Sequence, residues 1–150
     1  MRRTDNRFPY AAVACLVLTA SCTSRPRPDQ EVARRISAAA TASDVCVVNV
    51  SELAAFAWDR LFVFSPYTPS AQIEKELGSP WSESARIEAY DTFVLLVFVD
   101  HGRVIRFVDQ PRSDGDFSDC HCAGGFARHQ AVFRFMNDAS GWRRCAPGAG

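Results

Sequence analysis

Long apolar runs are missing from this sequence. None reaches the roughly 18–20 residues that a membrane-spanning helix needs, so the pattern excludes a helical span. Net charge is missing as well: 17 basic and 17 acidic side chains cancel. No basic field therefore argues for a nucleic-acid partner. Lysine is nearly absent, with Lys75 the one lysine among the 17 basic residues, a bias read as codon usage rather than chemistry. Catalytic signatures are missing too. There is no Gly-x-Ser-x-Gly, phosphate loop, His-Glu-x-x-His or dinucleotide fingerprint. Only three histidines are available for acid–base work. No enzyme class and no cofactor emerge from the motifs.

What is present is ordinary globular composition. Of the 150 residues, 47% are hydrophobic and 23% charged, which excludes a mainly disordered chain and suits one domain. Six cysteines, however, require an account.

The amino end is laid out as an address. Arg2, Arg3 and Arg7 precede a short apolar stretch, Ala11 to Ala20. This is the order of a secretory leader. The segment Leu18-Thr19-Ala20-Ser21-Cys22 resembles the lipobox of bacterial lipoproteins, with Thr19 where a larger apolar residue is usual. The resemblance implies cleavage before Cys22 and acylation of its sulfur and new amino group. Two or more acyl chains give a stable anchor, at about 0.8 kcal/mol per buried methylene. Residues 1–21 are then a signal peptide, 22–28 a lipidated proline-rich tether, and 29–150 one globular domain. The expected partners are the membrane, reached through the lipid, and other envelope proteins. Thr23, rather than Asp, follows Cys22, which favours the outer membrane over the inner and a periplasm-facing domain.

Processing would leave Cys46, Cys120, Cys122 and Cys145. In an oxidising compartment an even number favours two disulfides. A bridge between Cys120 and Cys122 would close a strained ring, so each is expected to reach a different distant partner, Cys46 or Cys145. Free thiols are one alternative. The other is a metal- or thiol-handling site built from Cys120, His121, Cys122 and His129, with His101 approaching from a hairpin. Zinc sites usually show Cys-x2–4-Cys spacing with a second matched pair, which this stretch lacks.

The periodicity predicts α+β. Asp29 can cap a helix with the stripe Val32, Ile36 and Ala39 or Ala40. Thr68-Pro69 opens a second helix over 69–77, stopped by Gly78. Strands are expected near 46–50, 58–64, 92–100, 103–109 and 130–136, forming an antiparallel sheet of four or five strands with one or two packed helices. Trp142 to Cys145 is a candidate closing strand. His101-Gly102 forms a two-residue hairpin turn that sets Asp100 against Arg103. Leu96, Phe98, Ile105 and Phe107 are expected on one face. Leu95, Val97, Val99, Val104 and Val108 are expected on the other with Arg106, a face needing cover. Residues 110–125 read as a solvated loop, and Asp114, Asp116 and Asp119 lack the EF-hand pattern.

The stretch Trp58-Asp59-Arg60-Leu61-Phe62-Val63-Phe64-Ser65-Pro66-Tyr67-Thr68, followed by Ile73 and Leu77-Gly78, resembles a segment of small uncharacterised secreted or lipid-anchored bacterial proteins. A looser likeness runs through 97–104. The resemblance implies a fold and no activity. Trp58 and Tyr67 are expected to pack in the core.

Overall fold

The computed structural model describes residue 26 and residues 28–146. Cys15 and Cys22, and with them the leader, cleavage and lipidation expectations, lie outside the described residues.

The chain is α+β, with its strands divided between two antiparallel sheets. In chain order the elements are α1 (Gln30–Ala40), β1 (Val45–Asn49), α2 (Val50–Leu53), β2 (Arg60–Phe64), α3 (Ser70–Leu77), β3 (Phe93–Asp100), β4 (Arg103–Pro111), β5 (Phe126–Ala127), β6 (Val132–Asn137) and β7 (Arg143–Ala146). One sheet has the order β4-β3-β2-β5 and the other β1-β6-β7. The four-stranded sheet contains the anticipated hairpin. The three-stranded one was not anticipated, because β6 and β7 form a hairpin near the end of the domain that β1, from its beginning, joins only by long-range pairing.

Local chemistry sets the helices. Asp29 Oδ1 accepts the Val32 N–H at 3.0 Å, and Val32, Ile36 and Ala40 form the buried stripe of α1. In α3 the first helical residue is Ser70 rather than Pro69. The Pro69 ring has no acceptor atom to cap with, and the carboxylate of Glu88 accepts the Ser70 N–H instead. Gly78, at φ 74°, ends the helix in the left-handed conformation that a Cβ disfavours.

The core forms on both faces of the four-stranded sheet. On one side Leu61, Val63, Leu96, Phe98 and Val108 pack against α1 and against Val48, Phe133 and Phe135 of the second sheet. On the other, Phe62, Phe64, Leu95, Val97 and Phe107 are covered by Ile73 and Leu77 of α3 and by Trp81 and Ile87. This double covering explains why β2 and β3 read as continuous apolar runs.

The hairpin corrects the expected faces. His101 and Gly102 both have positive φ, and Asp100 pairs with Arg103. A bulge between Phe98 and Val99 then inserts Ile105 as an extra residue, so that Phe98 opposes Arg106 and Val97 opposes Phe107. Beyond it the alternation is inverted. Phe107 joins Val104 under α3, and Val108 joins Ile105 in the core between the sheets.

The segment expected as a solvated loop is also different. Asp116, Phe117 and Cys120 are buried, and Phe117 stacks edge-on against Phe133 and Phe135. Trp58 is buried against Phe98, as expected of a core aromatic. Tyr67 is not: it is 60% exposed, at φ 65°.

Candidate functional site

The cysteine-bearing segment is held by β7. Cys120 and Cys145 form a disulfide with a Cα–Cα distance of 6.3 Å, and both are buried. The two backbones also pair: Asp116 N–H donates to Arg143 C=O at 2.9 Å, and Cys145 N–H donates to Asp116 C=O at 2.8 Å. The bridge closes a loop of 25 residues and contributes about 3 kcal/mol by the loop-closure argument.

Cys46 and Cys122 are free thiols, so the expected pair of disulfides is reduced to one. The sheet register supplies the reason. Cys46 opposes Phe135 on β6, and Phe135 opposes Cys145 on β7. A phenylalanine on the middle strand therefore separates Cys46 from Cys145. The Cys46 thiol instead donates to Ala40 C=O at 3.1 Å, with Arg143 Nη2 3.0 Å from the sulfur. Cys122 is half-buried and lies against Ala123 C=O.

Asp116 organises this region. Its carboxylate accepts from Arg112 Nη2 at 2.8 Å, the Ser118 N–H at 2.9 Å and Trp142 Nε1 at 3.2 Å. Burial pushes its pKa up, but the donors from Arg112, Ser118 and Trp142 outweigh that and hold it below the usual carboxylate range. Arg143 is a second organiser, reaching Ser43 and Ala40 carbonyls and Asn137 Oδ1. A third is Arg128, which bonds the Phe56, Ser51 and Ala54 carbonyls and lies over Trp58. The roles of Arg128 and Arg143 are not visible in a local motif, since their acceptors are mostly backbone carbonyls distant in sequence.

The histidines do not gather around the cysteines. His121 Nε2 lies 3.1 Å from Glu76 on α3. His129 is exposed, and no hydrogen bond joins it to Cys122. The disulfide occupies the Cys120 sulfur. A metal site or a Cys–His nucleophile pair through Cys120 is thus not assembled. His101 sits at the hairpin tip with its Nδ1 3.1 Å from Asp100, whose carboxylate raises its pKa by hydrogen bonding and charge. Asp59 accepts the His101 N–H at 3.1 Å. Asp59, Asp100 and His101 are the one close group of metal-ligating types among the described residues. Its members serve the turn, and His101 is largely in solvent.

Two grooves among the described residues lie elsewhere. One of about 260 Å³ is lined by Val32, Arg35, Leu53, Phe56 and Arg106 between α1 and α2. Another, of about 310 Å³, is lined by Glu74, Lys75 and Pro80 at the end of α3. Neither includes Asp59, Tyr67 or a cysteine. Compared with protein-family models, curated proteins and solved structures, the chain matches none.

Proposed function

We propose that this chain is a lipid-anchored protein of the bacterial cell envelope, held at the bilayer through Cys22, whose domain serves as an interaction or structural module facing the periplasm. The observation that carries the reading is the sequence: a basic start, a short apolar stretch and the lipobox-like Leu18–Cys22 segment. Two structural facts support it. A buried Cys120–Cys145 bridge suits an oxidising compartment. The domain also begins close behind the proposed anchor, where the Asp29 N–H bonds Phe107 C=O at 2.8 Å. Residues 22–28 can then reach at most about 25 Å, keeping the domain near the membrane surface. The outer membrane is the favoured destination, since Thr23 follows the cysteine.

Metabolic labelling with a palmitate analogue tests the anchor. Wild type takes up label and Cys22→Ala does not. Equal labelling of the two rejects the proposal.

A second reading, thiol handling, is favoured by one observation: Cys122 is a free thiol two residues from the bridge. Alkylation of native protein at Cys122, followed by assay of exchange with a small disulfide, distinguishes it. Undiminished exchange after alkylation removes Cys122 from that role.

A further inference from the structure

The two sheets leave four edges, and three of them are protected. On β4, Pro28 and Asp29 pair with Phe107. On β7, Asp116 pairs with the Arg143–Cys145 backbone. The third edge strand, β5, is two residues long. The fourth, β1, is Val45-Cys46-Val47-Val48-Asn49, with no charge, no proline and an unbroken register with β6. Natural edges normally carry such devices, because an exposed row of N–H and C=O groups invites another strand.

The direction of those groups follows from the ladder. Val50 N–H donates to Ala131 C=O at 2.9 Å. Hydrogen-bonded pairs alternate along an antiparallel ladder, so Val48–Phe133 and Cys46–Phe135 are the pairs that face each other. The N–H and C=O groups of Val45, Val47 and Asn49 therefore point away from β6. Among the described residues, two of these groups have partners on that side: the Ser43 hydroxyl donates to Val45 C=O at 2.7 Å, and the Asn49 C=O, at the N-cap of α2, serves the first turn of that helix. The same residues present side chains to solvent: Val45 is 49% and Val47 62% exposed. Val132 and Met136 extend the apolar surface onto β6.

We propose that β1 is a self-pairing edge, where a second copy of this chain adds its own β1 antiparallel across a two-fold axis at Val47. The outward groups belong to Val45, Val47 and Asn49, a set centred on Val47. A two-fold there sets Val47 against Val47, where both backbone bonds can form, and Val45 against Asn49, where the Asn49 N–H meets the Val45 C=O. Valines from both copies cover one another on the solvent face. Charge does not oppose the pairing. No residue of β1 is charged, and Arg134, opposite Val47 on β6, stays roughly 14 Å from its copy, beyond a Debye length. Such a contact is isologous and closes at two copies, which makes it an interface and not a route to fibres. The inference does not depend on the lipid anchor.

The test uses the full chain in membranes and in detergent, with palmitate labelling run on the same samples so that loss of the anchor is seen separately from loss of the dimer. In a background carrying Cys46→Ala and Cys122→Ala, Val47→Cys is oxidised alongside Val132→Cys. The paired Cα atoms at position 47 would lie about 5.5 Å apart, within reach of a disulfide. Val47→Cys gives a covalent dimer, and Val132→Cys, one strand further in, stays monomeric. In sedimentation the wild type is a dimer, and Val47→Lys raises its dissociation constant at least about tenfold, as charge on an edge strand does. That side chain is exposed, so the fold is retained, as checked by an intact Cys120–Cys145 bridge. A monomeric wild type, equal cross-linking at 47 and 132, or an undiminished dimer in Val47→Lys overturns the proposal.

Discussion

Arg112 and Asp116 lie four residues apart and form an ion pair at 2.8 Å, with the aspartate side chain 1% exposed and the arginine 26%. A carboxylate this deep is tolerated because every nearby donor is aimed at it. Removing it leaves Ser118 and Trp142 without this acceptor and Arg112 with the Asp91 carbonyl alone. Asp116→Ala should cost about 3–5 kcal/mol, the range for breaking a buried pair. Thermal unfolding measures it, and a loss below about 1 kcal/mol would mean that the network is solvated.

Acid should unfold the domain through the same group. The folded pKa of Asp116 lies below the ordinary aspartate value of 3.8, as does that of Asp29 at the cap of α1. Both therefore contribute stability that is fully present above pH 3.8 and is lost as pH falls through their depressed folded values. A pH series of denaturant midpoints should decline in that window. Asp116→Asn should flatten the decline, and an unchanged slope contradicts the assignment.

Gly115 precedes this aspartate at φ 149°, where a Cβ would sit 2.9 Å from the Ala40 Cβ and 3.2 Å from the Phe135 ring. Gly115→Ala is expected to lower stability by about 2 kcal/mol through strain and overpacking. Gly141, whose added Cβ would meet nothing within 4 Å, is the control for backbone strain alone. Equal losses at the two sites would show that packing against α1 plays no part.

Cys145→Ser should lower stability by about 3 kcal/mol by releasing the loop from β7. Cys46→Ala should cost less, since Cys46 is free and half-buried. Chemical denaturation of the two variants ranks them, and the reverse order contradicts the connectivity.

The features legible in the sequence are those decided by neighbours along the chain. Asp29 caps α1 through an oxygen three residues from its donor, and His101-Gly102 turns the hairpin by local backbone preference. The apolar runs of β2 and β3 announced cover on both faces. The hairpin bulge was hidden because Val104, Ile105, Phe107 and Val108 put apolar residues on both faces with or without it. The second sheet was hidden because β1 joins the β6–β7 hairpin only through long-range pairing. Asp116 was read as solvated because, although Arg112 and Ser118 are close in sequence, the cover over it comes from Trp142 and the backbone of β7, far along the chain. The cysteine pairing failed by half for the same reason: spacing cannot reveal that Phe135 stands between Cys46 and Cys145.

Intact mass of the protein purified from its native membrane, with and without reduction before alkylation, probes the central claim most directly. The account predicts a chain beginning at Cys22, heavier by a diacylglycerol and an acyl group, with two alkylated thiols before reduction and four after, Cys46 and Cys122 being the free pair. A soluble, unacylated chain that still carries Met1 would contradict it.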